Sequence, residues 1–376
     1  MLTEDQRLIR DTARAFARDR LAPGAAARDA SGTIEPEILR EMGELGFLGM
    51  TVNPDFDGAG ADYVSYALAL MEVAAGDGAI STVMSVHNAP FNAILERFGS
   101  ERHKEEVLRP AARGEFIGAF ALTETQAGSD ASAIRSAARR VQGGYVLNGA
   151  KEFITSGKIG RFVITFARME GAEGKSGITA FLVPTDTAGF EVARVEAKMG
   201  QRASDTCALR YTDVEISDAM RIGEEGQGYK IALASLETGR IGIASQSVGM
   251  AQAALDAAVG YAQERQTFGS AIINHQAVGF RLADLATQLE AARQLTLHAA
   301  RLKDAGIPCL TEAAMAKLYA SEAAERIVSG ALQTFGGMGY MVETGLERIA
   351  RDVRVCQIYE GTSDIQKLII ARALNT

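Results

Sequence analysis

A chain of 376 residues has room for two or three domains, and 47% hydrophobic with 23% charged residues is the balance of a soluble globular protein. The formal charge of -8 is spread along the sequence with no Lys/Arg-rich block, which argues against a phosphate-backbone partner. Cys207, Cys309 and Cys356 are odd in number and far apart, and the four histidines are scattered, so neither a disulfide framework nor a metal site is expected.

Along the chain, MLTEDQRLIRDTARAFARDRL opens with a capping box at Thr3 and Gln6, and Ile9, Ala13, Phe16 and Ala17 recur at helical spacing. This reads as a folded first helix and not as a signal peptide. No run of 18 residues is apolar and uncharged, so no membrane span is expected, and a cytoplasmic location follows from both readings. Residues 1–115 keep the helical period, as in ILREMGELGFLGM and YVSYALALMEVAAGDG, and form a predicted N-terminal α domain. Over 116–227 the period shortens in RFVITFARM, GITAFLVP and CALRYTDVEI, a predicted central β domain. Within it Asn148-Gly149 predicts a tight hairpin turn, and LNGAKEFITSG reads as a hairpin with a polar end. Over 228–376 helices return. Leu282, Leu285, Leu289, Ala292, Leu295, Ala299 and Leu302 mark one face of a long helix, and such helices predict a bundle. Strands and helices are segregated and do not alternate, which argues against a doubly wound parallel sheet.

Of the motifs, QTFGGMGY (333–340) lies among helices and follows no strand, so it reads as a glycine break and not as a dinucleotide fingerprint. No GxxxxGK[ST] loop or GxSxG elbow is present. In VCQIYEGTSDIQK (355–367), Glu360 follows an apolar run and precedes Gly361 and Thr362, a turn and cap for a last helix. Taken alone, that pattern favours a solvated loop.

Taken together and in order, ALTETQAGSDASAI, LNGAKEFITSG, KMGQRASDT, LETGRIGIASQSVGMAQAALD, ERQTFG and IYEGTSDIQ are similar to the acyl-CoA dehydrogenase family over nearly the whole chain. The resemblance implies an α+β multi-domain fold: N-terminal α-helical domain, central β domain and C-terminal four-helix bundle. It implies FAD as cofactor and desaturation of an acyl-CoA between its α and β carbons. Glu360 stands where the family has its α-proton base. The other position some members use for the base is here Gly239, which favours the straight-chain subfamilies. Leu122, Thr123, Phe153, Thr155 and Thr362 match flavin-side contacts, with Phe153 where a tryptophan is frequent in a chain that has none. Ser129 and Arg240 match residues near the substrate. Arg265 and Phe268 match residues that reach the FAD of a neighbouring subunit, and Gln333, Gly336 and Gly337 match adenosine-side contacts. Ala121, Thr125 and Asp364 depart from commoner Cys, Pro and Gln. The resemblance further implies a homotetramer built as a dimer of dimers and an electron-transfer flavoprotein as acceptor.

The wording of GRIGIASQ and GGMGY is closest to short-chain, butyryl-type members, and residues 41–96 contain no Lys or Arg to bind a second substrate carboxylate. A short or medium acyl chain is expected. Alternatives are a flavin oxidase of the same architecture, a branched-chain dehydrogenase, and a helical scaffold without catalysis.

Overall fold

In the computed structural model, which describes residues 2–375, each change of apolar period in the sequence becomes a change of architecture. The first part is helical: α1 (Glu4–Phe16), α2 (Ala25–Ser31), α3 (Pro36–Glu44), α4 (Tyr63–Gly76), α5 (Gly78–Val86), α6 (Ala93–Phe98), and the short turns α7 (Glu101–His103) and α8 (Arg109–Ala112). Thr3 and Gln6 form the predicted capping box, and Ala13 and Phe16 are the buried face of α1. A π-helical stretch, His87–Asn92, follows α5.

The strands are β1 (Ile117–Ala121), β2 (Ala137–Val141), β3 (Gly144–Thr155), β4 (Gly160–Met169), β5 (Ile178–Pro184), β6 (Phe190–Val195), β7 (Thr206–Ser217) and β8 (Arg221–Ile222). They form one sheet in the order β6-β7-β3-β2-β4-β5-β8, and β1 lies parallel to β4. Two sequence expectations fail here. Asn148 and Gly149 lie inside β3, and the β2–β3 turn falls at Gln142 and Gly143, where Gly143 takes φ 80°. Gly149 instead marks a register shift against β7 at φ 147°, and a Cβ there would collide with Ser136. Asn148 pairs its amide with Asp213 across that irregularity. An Asn-Gly pair suits a turn and a bulge equally, because both need a backbone conformation that β-carbons resist. Nor is LNGAKEFITSG a hairpin: β2 stands between β3 and β4, so the segment is a strand end and a connection.

The last part holds α9 (Gly228–Glu264), β9 (Gln266–Thr267), β10 (Ser270–Ala271), α10 (Gln276–Asp304), α11 (Leu310–Phe335), α12 (Leu346–Val353) and α13 (Ser363–Ala373). On α10, Leu282, Leu285, Leu289, Ala292 and Ala299 of the predicted face are buried, while Leu295 and Leu302 are partly covered. Alanines dominate the buried face of α11, so α9 and α11 can approach closely. Helix α4 carries apolar residues all round because it is enclosed all round, and its Val64, Ala67, Leu68 and Met71 join the same core as α9–α11. The N-terminal and C-terminal helices thus share one interior, and the loop bearing Glu360 opens onto it.

Candidate active site

Glu360 lies on the short connection between α12 and α13, in the left-handed conformation at φ 54°. For a residue with a β-carbon that backbone region is strained, and it persists where surroundings enforce it. They do so here. The fully buried Lys317 of α11 donates from Nζ to the Gly361 carbonyl oxygen at 2.7 Å. The buried Gln366 of α13 donates from Nε2 to the same oxygen at 2.8 Å and to the Glu360 carbonyl at 3.3 Å. Thr362 caps α13, its Oγ1 accepting from the Ile365 N–H at 3.4 Å. Tyr359 donates from its hydroxyl to Gln246 Oε1 of α9 at 3.1 Å.

The carboxylate itself points into the helical interior. Its Oε2 is shut off from solvent with no hydrogen-bond partner, and a Cβ placed on Gly239 of α9 would stand 2.7 Å from it. The two positions compared in the sequence therefore face each other, and the missing side chain at one makes room for the carboxylate of the other. Burial raises the Glu360 carboxyl above its ordinary range, against the opposing pull of Arg240 and Lys317. Neither cation forms a salt bridge with it. Arg240 is 5% exposed, its Nε also lacks a partner, and burial weakens its hold on its proton. Among the apolar residues before Glu360, Cys356 is buried while Ile358 is 52% exposed, so the enclosure comes from the packed helices more than from the local run.

Of the residues matched to flavin-side contacts in the sequence, Leu122, Thr123, Phe153 and Thr155 gather on the β domain, while Thr362 caps α13. Lys151 of β3 donates to the Leu122 carbonyl at 3.1 Å and to Glu124 Oε1 at 2.7 Å, and the Glu152 N–H donates to the Thr123 carbonyl at 2.9 Å. These bonds staple the Leu122–Glu124 segment beside Phe153 and Thr155. Glu124 also accepts from the N–H groups of Arg135 and Ser136, which fixes the loop that carries the exposed Ser129. Lys151 holds the Glu124 carboxyl down to about 2 against the desolvation that would raise it, while burial brings Lys151 to about 8. Phe153 sits at φ 59° with its side chain turned outward, 65% exposed, and next to Thr155 the buried Ser156 has an unpartnered Oγ. Charged residues inside a strand pattern, Lys151 above all, were the available signal for this clamp, which sequence reasoning missed.

A second group forms at the far end of the bundle. Tyr261 and Phe335 stack at 4.2 Å, bringing the end of α9, with Arg265, beside the end of α11, with Gln333 and Gly336. Phe268 and Gly269 are the two-residue turn between β9 and β10, both at positive φ, and the Phe268 ring is 99% exposed. Gln333, Gly336 and Gly337 are exposed, and no atom lies within 4 Å of a Cβ built on either glycine. Among the described residues no hydrogen bond or ring contact joins this group to the Thr123–Thr155 group within the chain.

What does join the domains is Gln201, in the segment KMGQRASDT. Its N–H donates to Asp352 of α12, and its Nε2 reaches the Asp352 carbonyl at 3.1 Å and the Tyr359 hydroxyl at 3.4 Å. Its Oε1 accepts from Thr82 of α5.

Three family profiles match the chain: acyl-CoA dehydrogenase N-terminal domain over residues 3–115, middle domain over 119–214 and C-terminal domain over 226–375. The mitochondrial short-chain specific acyl-CoA dehydrogenase of Rattus norvegicus is 44% identical, covering 98% of this chain and 90% of its own. The butyryl-CoA dehydrogenase structure from Megasphaera elsdenii superposes with a TM-score of 0.98 at 39% identity, covering 100% and 99%. A chain from "Electron transferring flavoprotein of Acidaminococcus fermentans: Towards a mechanism of flavin-based electron bifurcation" gives a TM-score of 0.98 at 41% identity, covering 100% and 98%. With the fold, the profiles and relatives of this similarity in agreement from end to end, the chain belongs to the acyl-CoA dehydrogenase family, FAD-dependent oxidoreductases acting on CH–CH groups.

Proposed function

We propose that this enzyme converts a short- or medium-chain acyl-CoA to the trans-2-enoyl-CoA, with Glu360 as the base and an electron-transfer flavoprotein as acceptor. The observation that carries the reading is Glu360 Oε2, buried and without a hydrogen-bond partner on a half-buried residue, set in a strained conformation opposite Gly239. A carboxylate stripped of water is a stronger base, and a thioester α proton needs one. The side-chain-free Gly239 supports a straight chain as substrate, and similarity to short-chain and butyryl-CoA enzymes supports a short one.

The residues present fit FAD. Phe153 offers an outward-facing apolar ring, Thr123, Thr155 and Thr362 offer hydroxyls, and Gly336 and Gly337 leave open space for close backbone approach. When bound, FAD supplies the acceptor for the β hydride. The chain's own part is then to hold Glu360 Oε2 at the α proton, to keep water from it between α9 and α11, and to place Arg240 where its charge steadies the site. Ser129 is assigned to the substrate side, and Arg265, Phe268, Gln333, Gly336 and Gly337 to the FAD of a neighbouring subunit in a dimer of dimers. The likeness to a chain solved with an electron transferring flavoprotein supports the choice of acceptor.

The test is anaerobic titration of the yellow holoenzyme with acyl-CoA thioesters of increasing chain length, monitored by flavin absorbance. Butyryl-CoA is expected to bleach the wild type, and Glu360→Gln to keep its FAD while reduction slows by about a thousandfold. Undiminished reduction in Glu360→Gln would remove the residue from its role.

A further inference from the structure

Helix α11 buries a row of small residues, Ala313, Ala314, Ala316, Ala320, Ala323 and Ala324, and in the middle of that row stands Lys317 with no exposed surface. An ammonium in such a place loses hydration that one carbonyl cannot fully replace, so a purely structural position would favour an apolar side chain. The single hydrogen bond Lys317 makes goes to the Gly361 carbonyl, one peptide beyond the base. Gln366 grips the same oxygen from the opposite helix. Two buried donors, from α11 and α13, thus converge on the peptide that follows a glutamate held at positive φ.

We infer that Lys317 is a positioning residue for Glu360: it fixes the loop through the Gly361 carbonyl, and its buried charge acts on the carboxylate across that loop. The inference rests on the proposed role of Glu360 as base. Charges facing Glu360 come from Arg240 of α9 and Lys317 of α11, and the buried Tyr66 phenol of α4 feels the carboxylate as well. Lys317 in turn faces Cys356, Glu360, Arg240 and Glu322, and burial holds it down to about 8. Gln366 supplies grip without charge, so the two contributions separate by substitution.

The experiment compares wild type, Lys317→Met and Lys317→Arg as FAD-loaded enzymes, reading the pH dependence of the butyryl-CoA reduction rate together with FAD content and Tm. Removing a cation near a carboxylate raises its pKa, so the acid limb of Lys317→Met should move up by about one pH unit, with roughly tenfold slower reduction at acidic pH. Lys317→Arg keeps the charge, and its limb should stay with the wild type even where its rate falls. Coincident limbs for wild type and Lys317→Met, or equal shifts in both variants, would overturn the assignment. Failure of wild-type enzyme to be reduced by any acyl-CoA would instead overturn the proposed function.

Discussion

Gly239 and Glu360 set the limits of substitution at the proposed base. Because a Cβ on Gly239 would meet Glu360 Oε2 at 2.7 Å, Gly239→Ala must push the carboxylate aside. A displacement of about an ångström costs roughly a hundredfold in rate, so single-turnover flavin reduction should fall by that order while Tm barely moves. The pH dependence has a definite sign. The folded enzyme raises the Glu360 carboxyl, and only the ionised form accepts a proton, so reduction rate should climb with pH through a midpoint above the ordinary carboxylate value. A midpoint at or below that value in stopped-flow data would contradict the burial argument. The local pattern around Glu360 suggests a solvated loop, and only the family resemblance of IYEGT singles it out as a candidate; the structure adds that its Oε2 is buried and faces Gly239. Lys317, Gln366 and Gly239's packing role were not legible, since each depends on which helix faces the loop, and that is settled by tertiary packing.

Between elements, the joint of the α and β domains is built on a neutral histidine. His87, fully buried in the π-helical stretch, faces the Ala111 carbonyl through Nε2 at 2.9 Å and accepts from the Gly118 N–H through Nδ1 at 3.0 Å. Desolvation lowers it to about 4 from the usual 6.5, so the folded state binds fewer protons than the unfolded chain. Its stabilisation is therefore complete above about pH 6.5 and is lost as pH falls through 4, by on the order of 3 kcal/mol. Melting temperatures measured between pH 7 and 4 should fall more steeply for wild type than for His87→Gln. At the other end of the bundle Arg265 is exposed and forms no ion pair among the described residues, a cation free for a ligand. Arg265→Ala should weaken FAD retention by about 2 kcal/mol, roughly thirtyfold in Kd by flavin-release fluorescence, with little change in reduction rate of the loaded enzyme. The strands of the β domain were readable from their β-branched and aromatic runs. Their pairing was not, because the same Asn-Gly signal serves a turn or a bulge, and only partner strands decide between them.

Across the whole molecule, the order of helices, sheet and helices followed from sequence period alone, whereas the contacts that lock the three parts together come from isolated polar residues with no periodic signature. Asp352 shows what such a lock implies. It is 3% exposed, receives the Gln201 N–H, and lies near Arg348, Asp77 and Asp29; burial raises its carboxyl to about 7. A folded state that holds the extra proton is favoured at low pH, and this contribution is lost as pH rises through 7. Asp352→Asn should accordingly make the change of Tm with rising pH more positive than in wild type between pH 5 and 7, where His87 acts in the opposite sense, and an unchanged slope by calorimetry would remove Asp352 as a contributor. Gln201 adds a last consequence. At φ 48° it touches α5, α12 and the hydroxyl of Tyr359, the residue before Glu360, so one side chain ties the connection bearing Glu360 to the N-terminal helices and to the segment after β6. Gln201→Ala should therefore lower Tm and, on the proposed role of Glu360, slow flavin reduction as well; a variant with lowered Tm and an unchanged reduction rate would confine Gln201 to a structural tie.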